Sequence, residues 1–338
     1  MKISFYTNID KQVFFDFNSK AFASRGNFND KLTNFRYFNP LHPGNFAQDN
    51  ILSFDDSGEI SGQALYHPAK YYFENETRAM EWGFDLFVRP DMRSESVGLH
   101  LMEYIKAQKH TPIFASGVGE KALKIEKFFG YHVIGYLKKY YKIANPFFLI
   151  TGLLAPKNIK PSQFPKAVVV GNKRFERTTF ENLWDVSESY NNNLLEFARD
   201  REFLQWRYYS EGFGYAVYRF VGDSPQKPLY FVVRTVKIKK ITTLVLVDYR
   251  YDTSKKEQLK LILDAVAKVC GRLFLPIIVT GSSHQIADDV MESKKFKVTG
   301  KDRPIICNKK EYKQFKEPIA NRNFIFSTLA DSDGEYLM

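Results

Sequence analysis

Along the chain the apolar residues switch between a two-residue and a three-to-four-residue period, and each switch marks a boundary between strand and helix. Lys2 to Phe5 is predicted as a short strand, and Lys11 to Phe22, with Phe14, Phe15, Phe17 and Phe22, as an aromatic-rich helix. Phe35 to Pro40 is an aromatic stretch that ends at a proline. Ile51 to Phe54 and Ile60 to Tyr66 read as strands around Asp55-Asp56-Ser57-Gly58, whose Asp and Gly suit a tight hairpin. Met80 to Val88 is a third strand. It breaks at Pro90, passes a loop through Arg93, and enters a helix showing Val97, Leu101, Met102 and Ile105 at helical spacing. Pro112 to Ser116 is predicted as a strand, and Glu120 to Phe129 as a helix with Ala122, Ile125 and Phe129 on one face, stopped by Gly130. His132 to Tyr141 returns as a strand.

Thr151 to Lys166 carries Pro156, Pro161 and Pro165 among lysines and apolar residues, a linker-like composition. Beyond it, Thr178-Thr179-Phe180-Glu181 has the pattern of a capping box and predicts a helix with Phe180, Leu183 and Trp184 inward. Asp200 caps a second predicted helix bearing Phe203, Leu204 and Trp206. Strands are predicted at Tyr215 to Val221, Tyr230 to Val236 and Ile241 to Asp248. A helix through Leu259, Ile262, Leu263, Val266 and Cys270 follows, then a strand at Leu273 to Thr280, a helix at Gln285 to Glu292 and a strand at Arg303 to Asn308. The second half thus repeats the order of the first: long strand, helix, strand, helix, strand. It lacks the first half's loop, because Asp248 to Ser254 puts two carboxylates where small residues would be needed for an anion.

Composition narrows the classes. The 338 residues suffice for two domains, and 44% hydrophobic with 31 Phe and 20 Tyr excludes a disordered chain. No apolar run approaches the ~20 residues that cross a bilayer, and Met1 to Asn8 lacks a secretory core. Cys270 and Cys307 are the sole cysteines, expected in the core, which argues for a reducing cytoplasm and against a disulfide framework. A net charge of +11 favours acidic partners: CoA, a nucleotide-linked metabolite, nucleic acid or an anionic membrane surface. The lysines are scattered, with no nucleic-acid-binding motif, so no nucleic-acid partner is expected.

The chemistry concentrates at Phe84 to Leu101. At a helix start the first N–H groups lack internal acceptors and the peptide dipoles present their positive end, so the loop Arg93 to Gly98 suits a phosphate. The spacing Leu86-x-Val88-x-Pro90-x-x-Arg93-x-x-Ser96-x-Gly98 resembles the acyl-CoA loop of the GNAT-superfamily N-acyltransferases, whose pattern is Arg or Gln, two residues, Gly, one residue, then Gly or Ala. Ser96 replaces the first glycine, and Glu95 adds an acidic residue to the loop. The order of elements from Met1 to Ile150 is also similar to that family. Family members often carry Ala, then Tyr four residues on, then Gly-Phe; here Ala122 and Gly130-Tyr131 match and Glu126 stands at the tyrosine position. Arg199-Asp200-x-x-Phe203-Leu204-x-Trp206-Arg207-Tyr208 resembles a segment of tandem-GNAT proteins associated with bacterial surface-sugar metabolism.

The resemblance implies an α/β protein of two tandem GNAT-like domains, each a mixed sheet flanked by helices. Residues 1–150 would bind acyl-CoA, 151–166 would link, and 167–338 would form a second domain without a CoA loop that helps to shape the acceptor site. Acyl-CoA is then a co-substrate, with no tightly bound cofactor, held by Leu86, Phe87, Val88, Arg93, Ser94, Ser96, Val97 and Gly98.

Acylation of an amine needs a base within hydrogen-bond reach of the nucleophile. Glu81 and Asp85 lie on the strand beside the expected thioester, and their numbering places both on the face away from Leu86 and Val88. His67, at the end of the preceding strand, is the third candidate. Neither a metal-ligand spacing nor a Gly-x-Ser-x-Gly elbow occurs. Arg199, Trp206 and Arg207 offer guanidinium groups and an aromatic face to a nucleotide; alternatively Trp206 is core and the arginines pair with Asp200 and Glu202. The reading is therefore an acyl-CoA-dependent N-acyltransferase acting on a dTDP- or UDP-linked amino-dideoxy sugar for surface polysaccharide, and a homodimer is compatible with it. The alternatives are a Fem-like aminoacyl or peptide acyltransferase and a non-catalytic acyl-CoA or nucleotide-binding protein.

Overall fold

The computed structural model describes residues 2–5, 10–22, 50–182, 184, 189–191, 194–209, 213–223, 227–308 and 324–331, and the aromatic stretch Phe35 to Pro40 and Leu183 lie outside them. In chain order the first elements are β1 (Lys2–Phe5), α1 (Lys11–Ala21), β2 (Ile51–Phe54), β3 (Ile60–Phe73), β4 (Glu76–Val88), a 3-10 turn (Pro90–Glu95), α2 (Val97–Gln108), β5 (Ile113–Ser116), α3 (Glu120–Phe128) and β6 (His132–Ile143). Then come α4 (Leu149–Leu154), β7 (Ala167–Val170), β8 (Lys173–Arg177), β9 (Leu195–Phe197), α5 (Arg201–Tyr209), β10 (Ala216–Phe220), β11 (Tyr230–Ile238) and β12 (Ile241–Arg250). The remaining elements are α6 (Lys256–Arg272), β13 (Ile277–Ser282), α7 (Gln285–Ser293), β14 (Lys297–Val298), β15 (Arg303–Cys307) and β16 (Ile325–Phe326). The molecule is α/β, with mixed sheets flanked by helices.

Two compact units emerge, and each is assembled from separate stretches of chain. One comprises 1–70, 79–134 and 304–318; the other comprises 71–78, 135–303 and 319–338. These boundaries differ from the 1–150 and 167–338 division expected from the order of elements. Tertiary pairing brings late strands to early ones: in the first unit Ile305, Ile306 and Cys307 of β15 lie antiparallel to Ser116, Ala115 and Phe114 of β5.

In the first unit β1, β2 and β3 are antiparallel neighbours, and β4 pairs in parallel with β5 across the α2 crossover. Phe14, Leu52, Ile60 and Leu65 close a small core under this sheet. In the second unit β8, β10, β11 and β12 are antiparallel, β12 is parallel to β13 across the α6 crossover, and residues 138–143 of β6 lie antiparallel to β13. Each unit thus holds one parallel pair joined by a helix, the repeat visible in the order of elements.

Two local expectations change. The stretch 151–166 is built into the second unit, with Ile159 and Phe164 buried in its core and the Ile159 N–H donating to Thr235 Oγ1 at 2.8 Å. Pro161 opens a short 3-10 turn at Pro161–Gln163. At the predicted capping box, the Asn182 N–H bonds the Thr179 carbonyl at 3.2 Å and closes a 3-10 turn over Phe180–Asn182, which leaves Phe180 exposed while Trp184 is buried. Both cysteines are buried, as expected.

Candidate active site

The corner from β4 to α2 is held from below by a salt-bridge cluster. Arg89 bonds Asp55 at 2.7 Å, Asp91 at 2.9 Å and Glu59 at 3.2 Å, which ties the start of the loop to the β2–β3 hairpin. Hydrogen bonds from Ser57 and Arg89 hold the Asp55 carboxyl well below the usual carboxylate range, so it keeps its charge. The loop itself is exposed at Arg93, Ser94 and Ser96, while Val97 is fully buried and anchors the first turn of α2. Arg93 reaches back to the Val88 carbonyl at 3.2 Å and lies 5.8 Å from the Phe87 ring centroid.

Ser96 adopts the left-handed conformation, φ 58° and ψ 21°, and its carbonyl accepts from the Leu99 and His100 N–H groups. This is the position where the resembling pattern has glycine. The backbone shape that glycine serves is retained although the residue is serine, at a cost of about 1–2 kcal/mol. A Cβ at Gly98 would come to 3.5 Å from Val88 and 3.9 Å from Ile125, ordinary contacts that the protein could accept.

β4 opens away from β5. Their parallel register runs through Glu81–Ile113 and Trp82–Phe114, and among the described residues it stops there. Three residues later Asp85 has φ 49°, a left-handed residue inside a strand. That kink interrupts the two-residue alternation, so the expectation that Glu81 and Asp85 share a face by their numbering does not carry past it. The kink is braced from behind, where Gln63 Nε2 donates to the Asp85 carbonyl at 3.3 Å and to Asn18 Oδ1 of α1 at 2.9 Å. Leu86, Phe87 and Val88 follow, all half-buried, with the Phe87 ring 5.9 Å from Phe17 and 5.3 Å from Phe22.

The three candidate bases have different settings. Glu81 is buried and ion-paired with Lys109 at 2.9 Å, and the lysine Nζ sits 4.8 Å over the Tyr66 ring. His67 is buried and stacks on Phe84 with ring centroids 4.1 Å apart and planes 5° from parallel. Asp85 is half-buried at the kink.

A further acid was not among the expected catalytic groups. On α3 the one buried residue is Glu126, and burial pushes its carboxyl up to about 8. It interacts electrostatically with Tyr66 and with Tyr131, whose phenols are likewise raised, first by burial and then by carboxylates that include Glu81 and Glu126. Glu126 and Glu81 thus form one buried polar cluster with Lys109, Tyr66 and Tyr131. The signal was present in the sequence, since Glu126 lies four residues after Ala122 on the inward face; the length of its shielding from water was not.

Arg199, Trp206 and Arg207 are all buried in the second unit. Arg199 bonds Asp248 at 2.8 Å and also Asp331, and Asp248 further accepts from Tyr208 at 2.6 Å, Tyr230 at 3.1 Å, Thr328 at 2.7 Å and Arg250 at 3.2 Å. Burial would raise the Asp248 carboxyl, but the Arg199 and Arg250 charges outweigh it and hold it well below its ordinary value. Arg207 donates to Tyr215 at 2.7 Å, and Trp206 packs 5.8 Å from Phe203. The guanidinium of Arg199 is thus taken up by Asp248 and Asp331 rather than by Asp200 and Glu202, and the three side chains expected at a nucleotide are buried.

No protein-family model matches the sequence, and no curated protein matches it. Solved structures do. A GCN5-related N-acetyltransferase from Anabaena variabilis superposes with TM-score 0.58 at 11% identity, covering 90% of this chain and 72% of that one. N-myristoyltransferase from Saccharomyces cerevisiae with bound myristoyl-CoA matches with TM-score 0.59 at 10% identity over 91% of this chain and 82% of the enzyme. A probable N-acyltransferase from Enterococcus faecalis gives 0.57 at 12% identity, over 91% and 72%. The fold is the one these N-acyltransferases share. In this N-acyltransferase fold the exposed loop at Arg93–Ser96, the opening of β4 from β5 and the buried Glu126 cluster all belong to the first unit.

Proposed function

We propose that the chain is an acyl-CoA-dependent N-acyltransferase. The observation that carries this reading is the β4–α2 corner, where a strand leaves its parallel partner and a left-handed Ser96 turns the backbone into an exposed helix start. The first N–H groups of α2 and the Arg93 guanidinium suit the CoA phosphates, and the half-buried edge at Leu86, Phe87 and Val88 suits an extended pantetheine arm that adds as a strand. The fold shared with an enzyme bound to myristoyl-CoA supports the same assignment.

In the reaction the acceptor amine attacks the thioester carbonyl, the C–N bond forms and the C–S bond breaks. Asp85, or His67 stacked on the adjoining Phe84, takes the amine proton. Glu126, held protonated by burial, gives its proton to the departing thiolate and is reprotonated from the base through solvent. Glu81 stays in its pair with Lys109.

The acceptor we propose is the amino group of a nucleotide-linked amino sugar, a reading supported by the Arg199–Tyr208 segment and the net charge of +11. With Arg199, Trp206 and Arg207 buried, contacts to the nucleotide fall to other residues.

Calorimetry with CoA tests the first part: Arg93→Ala and Gly98→Val should each weaken binding at least about tenfold, and Asp252→Ala in the second unit should leave it unchanged. Thiol release from acetyl-CoA tests the chemistry, with Glu126→Gln lowering turnover by about 10² to 10⁴ while CoA affinity is retained. Unchanged CoA binding in both loop variants would refute the site. Faster turnover of a free amino sugar or a peptide amine than of dTDP- and UDP-linked amino sugars would refute the acceptor.

A further inference from the structure

An apolar surface on the second unit is unlike anything else on the described chain. The segment Asn145 to Pro156, NPFFLITGLLAP, contains no charge, and its α4 helix and the 3-10 turn before it keep large apolar side chains outward: Phe147 is 91% exposed, Leu154 81% and Ile150 70%. Ile143, Leu149, Leu153 and Phe274 enlarge the patch. Surfaces of this kind mark interaction sites.

The patch is held rigidly from below. A Cβ at Gly152 would meet Pro276 at 2.7 Å and Ile241 at 3.2 Å, so the helix lies as close to the sheet as glycine permits. Thr151 Oγ1 donates to the Phe274 carbonyl at 2.6 Å, Thr242 Oγ1 donates to the Ala155 carbonyl at 2.9 Å, and the Phe148 ring packs on Phe274 at 5.3 Å. The apolar face is therefore a fixed feature of the surface.

Three neighbours sit in backbone conformations that their residue types disfavour. Phe274, following α6, has φ 52°, where glycine is the usual choice, and its ring is 56% exposed beside α4. The β11–β12 hairpin turns on Lys239 and Lys240, closed by the Ile238–Ile241 pair, with φ 47° and 72°. Asn-Gly would suit that turn best. Both lysines are exposed, and the adjoining Ile241 touches the site of Gly152. Strain is thus kept where it presents one aromatic ring and two cations at the rim of the apolar face.

The segment that carries the patch is cationic. Between Glu126 and Glu176 there is no Asp or Glu, while Lys139, Lys142, Lys157, Lys160 and Lys166 fall in that interval; Lys138, also in it, is paired with Asp288 at 2.9 Å. On α6, Arg272 stands in the last turn beside Phe274, and the carboxylates further up that helix are each paired, Asp264 with Lys294 at 2.7 Å and Glu257 with Lys260 at 2.8 Å. No described helix is long and apolar enough to cross a membrane, so a fixed apolar wedge with a cationic rim fits attachment at a surface rather than a span.

We propose that this face seats the protein on an anionic lipid bilayer, with Phe147, Ile150 and Leu154 entering the acyl boundary and Lys239 and Lys240 at the headgroups. The inference is independent of the acyl-transfer reading. Charge complementarity selects an anionic bilayer over a second copy of this chain, which would oppose two lysine rims.

Flotation of the full chain with vesicles tests it. With phosphatidylcholine and phosphatidylglycerol at 3:1 the protein should float, with pure phosphatidylcholine it should bind at least tenfold more weakly, and added salt should release it. Phe147→Ser/Ile150→Ser/Leu154→Ser should lower partitioning at least tenfold with an unchanged thermal melt, since these side chains are exposed. Lys239→Asn/Lys240→Gly should raise the melting temperature by relieving the turn, yet weaken binding to anionic vesicles by roughly fivefold per lysine. That opposition separates a lipid role from a structural one. Absence of flotation at low salt would overturn the proposal, as would a concentration-dependent dimer that the triple serine variant abolishes without any vesicle binding.

Discussion

The same corner is built twice in this chain and left in two different states. In the first unit β4 parts from β5 after Trp82–Phe114 and feeds an exposed loop; in the second β12 pairs with β13 at Leu244–Ile278 and Val245–Val279, and the strand beyond runs into solid core. Asp248, Tyr249, Arg250 and Tyr251 are buried there, and the chain's own segment 324–331 lies over them. Thr328 and Asp331 join the Asp248–Arg199 cluster, and Leu329 packs on Gly281 so closely that a Cβ at that glycine would come to 2.7 Å. The comparison shows what makes such a corner a binding site. Topology provides the gap, and the residues at the strand end decide whether the protein fills the gap itself.

Removing the partner that fills the second corner should have the largest effect. Asp248→Ala would leave the buried Arg250 guanidinium without its carboxylate and Arg199 with Asp331 alone, and should destabilise the protein by about 3–5 kcal/mol in denaturant unfolding. Arg93→Ala, in the open corner, should change stability by less than about 0.5 kcal/mol. Equal losses in the two variants would erase the distinction between the corners.

The next effect depends on pH. The Glu126 carboxyl is raised from its ordinary 4.5 to about 8, so the folded state holds a proton that the unfolded state has released. The stability it contributes is present below the ordinary carboxyl range and is lost as pH rises towards 8, at up to about 1.4 kcal/mol per pH unit. Above that it levels off. Glu126→Gln should match the wild type near pH 4 and exceed it increasingly up to pH 8, in urea titrations across the range. A constant difference would show that Glu126 is not buried as an acid.

Smaller effects follow from the two glycines. Gly281→Ala should cost about 1–3 kcal/mol because Leu329 must move, whereas Gly98→Ala should be nearly neutral to the melt, its Cβ meeting Val88 at 3.5 Å. The smallest is Ser96→Gly, which should stabilise the protein by up to about 1 kcal/mol by relieving the left-handed serine. A loss of stability there would mean that the serine side chain itself holds the loop.

Local chemistry was readable at the open corner because its determinants are close in sequence. Pro90, Arg93 and Gly98 lie within nine residues, and strand, turn and helix fall where the periodicity places them, from Val88 through Val97. Reading failed where the deciding contact is remote or the backbone irregular. Arg199 looked like a ligand because nothing near it in sequence announces Asp248 and Asp331, 49 and 132 residues away. Numbering parity at Asp85 assumes a regular strand, and φ 49° is not a property of aspartate that a sequence displays. Glu126 was visible on the inward face of its helix, but its protonation depends on how deeply the fold buries it, which no stretch of sequence displays.

The late strands impose an order on synthesis. β5 receives β15 only when residues 305–307 have been translated, and the Asp248–Arg199 cluster receives Thr328 and Asp331 later still. Neither unit can therefore reach its final packing while the first three hundred residues emerge from the ribosome. Until then Arg199 lacks Asp331 and Asp248 lacks the Thr328 hydroxyl, and the edge of β5 is open to another strand. Such long-range closure slows folding and exposes the nascent chain to mispairing, so the yield of folded protein should depend strongly on chaperones and on translation rate.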